Sequence, residues 1–296
     1  MHRLLRSIGY SEIEYQEQVE ELLRLIVRDT KDRQFIRKKA GPIITEYRGK
    51  VSDSTGICVC GEEDANGKFH VTHYFPYCIN EVQAREEDYV AFDKKVAGDG
   101  YTGMCDDYAI GATMIFYVQN VVDYMFKHEG ENGVDEMTVS FSALSDKANI
   151  ILPTVVREET PKTIIKNNRK EKLIEQAKNG DEKAIVSLSM EDIDKYAIVN
   201  ERAKKEDILS IVETSLVPLG SESDLYILVG NIRDVRIEIN SYTGEEVYIL
   251  LIDMNTILVN VSINKKDLFG EPEIGRRFRG NVWLQGKVTD TKEYVK

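Results

Sequence analysis

One tryptophan, four cysteines, four histidines and six prolines are all that 296 residues hold of these types, and each scarcity removes a class of protein. Four cysteines in a chain this long cannot knit a disulfide scaffold, so a reducing compartment is expected. Six prolines leave no proline-rich linker, and neither a low-complexity tract nor an internal repeat is visible. Cations are short: 39 Lys and Arg stand against 51 Asp and Glu, a formal charge of -12. That balance disfavours nonspecific binding to nucleic acid or to anionic membranes. Catalytic signatures are missing too, with no G-x-S-x-G, no Walker-type phosphate loop and no H-E-x-x-H. Met1 to Gly9 lacks an apolar core long enough for a signal peptide, so a cytoplasmic location is expected.

Long uninterrupted apolar runs are also absent. The longest, Asp106 to Phe126, carries Gln119, Asn120 and Asp123 in its middle and second half. A membrane span needs about 20 residues with few such interruptions. Carboxylates at its start, Lys127 and His128 at its end, and Ile110, Met114, Ile115, Val118, Val121, Val122 and Met125 within it predict a buried core helix.

Around that helix the pattern predicts an α+β fold. Ser11 and Glu14 resemble a capping box ahead of a helix with Val19, Leu22, Leu23, Ile26 and Val27 on one face. Strands follow at Ile43 to Lys50, Gly56 to Gly61 and Lys68 to Tyr77, the last two joined by Asn66-Gly67, a turn pair that tolerates positive φ. Met137 to Phe141 and Asn149 to Arg157 read as two more. An antiparallel sheet packed on the central helix is the expected domain over 1–160. Thr160-Pro161 marks a boundary, and a helical connector is expected over 161–207, broken at Asn179-Gly180.

The domain expected over 208–296 is all strand and turn. Runs at Ile208 to Val217, Leu225 to Ile239, Val247 to Ile252, Thr256 to Ile263 and Arg277 to Val288 suit a small five-stranded β-barrel, OB-like, with a sandwich as the other option. Loss of apolar phase near Gly230 to Asp234 predicts a bulge. Ile257, Val259, Val261 and Ile263 alternate with Asn260, Ser262 and Asn264, which predicts a half-buried strand. From Leu225 to Lys296 ten basic residues balance ten acidic ones, so the acidic excess lies earlier in the chain.

Four stretches resemble a bacterial protein family of clostridial Gram-positive species to which no function is assigned. They are Met-His-Arg-Leu-Leu-Arg-Ser-Ile-Gly-Tyr-Ser at residues 1–11, Tyr101 to Asn120, Asn179 to Asp207, and Gly270 to Gly286. The resemblance implies a cytoplasmic bacterial protein of the same architecture, and it carries over no catalytic residue, cofactor or ligand.

Several constellations invite chemical readings. Gly98-Asp-Gly100-Tyr-Thr-Gly103 matches G-x-G-x-x-G, yet the preceding stretch is charged and no acid ends a second strand, so a loop is expected. Cys58, Cys60, His70, His73 and Cys78 are metal-ligand types. With Asn66-Gly67 as a two-residue turn, Cys60 faces His73 and Cys58 faces Phe75, while His70 points away. That set lacks a clear fourth ligand, and no metal and no cofactor are expected. Cys105 beside Asp106 and Asp107 has no local base.

The final strand has the most directional pattern. Phe278, Val282, Leu284 and Val288 alternate with Arg277, Arg279, Asn281, Trp283, Gln285 and Lys287. Arg277, Arg279, Trp283 and Lys287 are therefore the candidate binding residues: a basic ladder holding one aromatic, which single-stranded nucleic acid binders use. The same face is suited to docking on the acidic N-terminal half, the reading the overall charge favours. The expected function is a non-catalytic binding or adaptor protein acting through its surfaces on a protein partner, with nucleic acid disfavoured and no membrane. The alternatives are an enzyme with a site near Gly98 to Asp107 and weak single-stranded nucleic-acid binding by the C-terminal barrel.

Overall fold

A computed structural model of the chain describes residues 3–37, 43–64, 66–80, 88–89, 91–94, 100–107, 112–122, 136–153, 172–173, 176–177, 181–190, 212–220, 223–254 and 257–290. It opens on a 3-10 turn, Arg3–Ile8, and helix α1, Gln16–Asp29. Val19, Leu22, Leu23 and Ile26 are buried on one face of α1, the i, i+3, i+4, i+7 set. The helix begins later than Ser11 and Glu14 suggest. Tyr15 is the N-cap residue, and Gln18 Oε1 accepts from the backbone N–H groups of Glu14 and Tyr15. The Ser11 hydroxyl instead donates to Glu245 at 2.5 Å.

Strands β1 (Arg33–Arg37), β2 (Ile43–Lys50), β3 (Thr55–Glu63) and β4 (Phe69–Cys78) form an antiparallel sheet in that order. Gly67 takes φ +78° in the turn between β3 and β4. Cys60 pairs with His73 and Cys58 with Phe75, the partners expected, but toward the turn the register slips by one, leaving Gly61 opposite Val71 and Glu62 opposite His70, so the strands do not close on a two-residue turn. One face of this sheet receives α1, where Gly49 leaves room for Ile26 against the backbone.

The other strands are β5 (Asp88–Tyr89), β6 (Ala91–Lys94), β7 (Tyr101–Asp107), β8 (Ala112–Val118), β9 (Glu136–Ile151), β10 (Ser215–Pro218), β11 (Leu225–Ile239), β12 (Glu246–Met254), β13 (Ile257–Asn264), β14 (Leu268–Phe269) and β15 (Arg277–Asp290). All eleven belong to one sheet. Within it β11, β12, β13, β9 and β15 close into a five-stranded barrel, because β15 pairs with β11 along Arg277 to Trp283. The bulge in β11 lies where the lost apolar phase puts it, between Ile232 and Asp234. No described helix is long and apolar enough to cross a membrane.

The α+β expectation is corrected: the described fold is mostly β, and the expected central helix is not a helix at Ala112–Val118. That stretch is β8, antiparallel to β7. Residues 108–111 and 123–126 lie outside the described residues. Ala-Thr-Met-Ile-Phe-Tyr-Val is rich in β-branched and aromatic residues, and a short apolar run buried on both faces has no period that separates strand from helix. Met114, Phe116 and Val118 enter the barrel-side core, while Tyr117 enters a second core beneath the four-stranded sheet. Phe116 lies across Gly103 and Gly286 on the flanking strands, where a methyl group at either glycine would overlap its ring.

Two further corrections concern the barrel. The strand expected at Met137 to Phe141 runs unbroken through Ile151, taking in the start of the one expected at Asn149 to Arg157, whose residues 154–157 lie outside the described residues. This single strand, β9, supplies the fifth stave between β13 (parallel) and β15 (antiparallel). Of the run expected to be the first stave, residues 208–211 lie outside the described residues, and its described part supplies β10, which hangs from the edge of β11. The barrel thus takes strands from both sides of residue 160. Residue 160 itself and most of 161–207 lie outside the described residues; within them, residues 182–190 are helical, with Ala177, Ala184 and Leu188 buried together.

The polar face of β13 is not solvated. Asn260, Ser262 and Asn264 are all buried, and each amide or hydroxyl donates to a backbone carbonyl of a covering segment: Ile79, Ser7 and Arg6. Asn240 does the same for Ile8. Pairing each buried donor in this way avoids the desolvation cost of an unmet polar group.

Candidate functional site

The face of β15 singled out in sequence is divided by the structure. Trp283 is only 6% exposed and Arg277 3%, whereas Arg279 and Lys287 are exposed. Trp283 packs against Tyr117 with ring centroids 4.8 Å apart, and Tyr117 packs edge-on to Phe75 at the same separation. Its indole thus meets aromatic side chains from the N-terminal half. A base cannot stack on a ring so placed. Arg277 donates from Nε to the Leu152 carbonyl and from Nη1 to that of Val212, both at 2.8 Å.

Gly100 leads into strand β7, not a helix, so the G-x-G-x-x-G match lacks its required context. Cys105 is buried in the barrel-side core. His70 does not point away: the slip beyond Cys60 sets it opposite Glu62, on the face that carries Cys60, where it lies against Asp64 at 3.3 Å. Burial pushes the Cys78 thiol upward.

The remaining ligand types do converge. On the face of the four-stranded sheet that meets the barrel, Glu46, Cys60 and His73 stand in register across β2, β3 and β4, and Arg48, Cys58 and Phe75 form the adjacent rung. A cavity of about 150 Å³ is lined by Glu46, Cys60, His73, Gly100, Tyr101 and Tyr117, among others. Thr72 and His73 also border a groove of about 940 Å³ between α1 and β4, so the two spaces adjoin.

Electrostatics within the rungs are tightly bound. Arg48 Nη2 lies 3.3 Å from Glu46 Oε2 and donates to the Gln119 carbonyl, and its guanidinium sits over the Tyr77 ring at 5.7 Å. Cys58 Sγ and Cys60 Sγ are 3.7 Å apart. The hydrogen bond from Cys58, burial, and the negative field of Cys58 and Glu46 push the Cys60 thiol well above its ordinary range, against the pull of Arg48. Burial likewise raises the Tyr77 and Tyr117 hydroxyls. A thiol held protonated is a poor nucleophile.

Comparison with known proteins bears on the whole chain at once. The model of a family described as "Domain of unknown function, E. rectale Gene description (DUF3881)" matches residues 5–286. The chain belongs to this family. No curated protein and no solved structure matches it. The family description assigns no activity, and the reading of function rests on the geometry.

Glu46 and Arg48 were not among the residues singled out in sequence. As i and i+2 on one strand they look like an ordinary solvated face. The available signal lies next door: Ile57, Cys58, Val59 and Cys60 are apolar at both parities, so both faces of β3 are covered. Whatever lies beside Cys58 and Cys60 must then be buried as well.

Proposed function

We propose that this is a non-catalytic binding or adaptor protein of the bacterial cytoplasm, and that its partner is a protein segment docked in the groove between α1 and β4. One observation carries the reading: β4 is the last strand of its sheet, and its Phe69–His73 half borders the groove instead of a fifth described strand. Strand edges pair readily with extended peptides, main chain giving affinity and side-chain pockets giving choice. Val71 is 47% exposed there, and Leu23 and Val27 of α1 form the opposite wall. Arg24 and Arg28 on the rim are partnered by Glu20 and Asp29. The fitting occupant is an extended peptide with apolar residues toward Val71, neutral to basic to suit a chain of charge -12. Four free cysteines accord with a reducing compartment.

A displayed library of random peptides, selected against the chain, tests this. Selected peptides are expected to lose at least about tenfold in affinity when Val71 becomes Lys, and to bind Arg279→Ala and Lys287→Ala variants unchanged. Equal binding to Val71→Lys would sink the idea.

A second reading, an enzyme acting near Gly98 to Asp107, draws on the inner cavity, where Gly100 and Tyr101 meet Glu46, Cys60 and His73. The protonated Cys60 and the Glu46 carboxylate held by Arg48 favour binding over covalent catalysis. Rapid single-site alkylation of Cys60 by iodoacetamide at neutral pH would reverse that preference.

A further inference from the structure

We propose that Glu46, Cys58 and Cys60 form a binding site for a single thiophilic divalent ion of the zinc class, independent of the groove on the outer side of β4. The Glu46 carboxylate oxygen and the two sulfurs all lie within 4.8 Å of one another, and all three residues are buried. The sulfurs, 3.7 Å apart, already stand at the right separation. A tetrahedral ion with metal–sulfur bonds of about 2.3 Å holds two sulfurs about 3.8 Å apart. Alternation along β3 puts both thiols on one face, and the pairing of β2 with β3 puts Glu46 beside Cys60.

Charge balance favours the same ion. Glu46 and Arg48 lie 3.3 Å apart as a largely buried ion pair. When a divalent ion enters, each S–H bond gives way to a metal–sulfur bond, two protons leave to solvent, and the net charge of the buried cluster is unchanged. Two sulfur donors select zinc-class ions over magnesium or calcium, which prefer all-oxygen shells. His73 lies outside the three-ligand group but faces Cys60 and lines the same cavity. The Thr72 hydroxyl lies 3.2 Å from its Nδ1, the kind of contact that orients a metal-binding imidazole. The cavity and the adjoining groove give an ion a path inward.

The test is titration of the full-length, tag-free chain with Co²⁺ alone, followed by Zn²⁺. The expected result is a thiolate-to-cobalt charge-transfer band saturating at one ion per chain and bleached by Zn²⁺. Cys58→Ser and Cys60→Ser should abolish the band while keeping the native circular dichroism. Cys78→Ser and Cys105→Ser, altered at thiols outside the cluster, should keep it. No charge-transfer band in the wild-type chain overturns the proposal without recourse to any variant, and so does a band that survives in Cys58→Ser.

Discussion

Gln119 and Gln285 share a hydrogen bond of 2.8 Å in the buried layer between the four-stranded sheet and the barrel, Gln119 Nε2 donating to Gln285 Oε1. The same Gln119 nitrogen reaches the Cys78 carbonyl, and Gln285 Nε2 donates to the carbonyl of Pro76. Two amides from β15 and the end of β8 thereby satisfy the backbone of β4 where it turns under the barrel. Gln285→Ala removes the side-chain donor to the Pro76 carbonyl and the acceptor shared by Gln119 and the Cys78 N–H, while Gln119 keeps Cys78 and Ser142; a loss of about 1–3 kcal/mol is expected. Denaturant unfolding should show a lower midpoint with unchanged slope.

Trp283 reports on the same layer. As the only tryptophan, packed against Tyr117 and nearly excluded from water, it should emit at short wavelength, resist quenching by acrylamide and shift to the red on unfolding. Trp283→Ala should cost about 3–5 kcal/mol. Arg279→Ala and Lys287→Ala, exposed on the same strand, should fall within about 0.5 kcal/mol of wild type. A water-exposed emission spectrum from the native chain would contradict the packing.

Glu245 predicts a pH dependence. Burial alone raises its pKa, but donors from Ser11, Lys266 and Asn264 outweigh that, and the folded value lies below the ordinary 4.5. A carboxylate whose folded pKa is depressed stabilises fully above its unfolded pKa and loses that contribution as pH falls through the folded one. Wild type should therefore exceed Glu245→Gln in stability at neutral pH. The difference should shrink as pH drops below about 4.5. Unfolding free energies of both proteins across that range check it, and a constant difference would refute the linkage.

Thiol accessibility gives a fourth test. All four cysteines are free and buried, so Ellman's reagent should react slowly with the native chain and with all four thiols once it is unfolded. A fast native thiol would point to an opening of the cavity beside Cys60.

Much of the fold was legible in the sequence because its signals are local. The α1 face repeats at helical spacing, Asn66-Gly67 marks the turn between β3 and β4, and the apolar phase break marks the bulge at Arg233. The candidate site was half legible: a two-residue turn at Asn66-Gly67 gives the right partner for Cys60, but the strands beside the turn are one residue out of that register and the slip at Cys60 restores the pairing with His73. Glu46 was not, because its neighbour Cys60 comes from another strand.

The chain by itself determined where most strands run and which side chains share a face, since periods of 2 and 3.6 are written residue by residue. Only the tertiary structure decided which faces meet water. Asn260, Ser262, Asn264 and Gln285 have the same composition whether they hydrogen-bond to solvent or to the carbonyls of residues 6, 7, 76 and 79. Likewise Met114–Val118 is apolar in either a helix or a strand, and its pairing with the neighbouring β7 and with the distant β15 selects the strand. Burial is a non-local quantity, fixed by segments far away in the chain that no local pattern records.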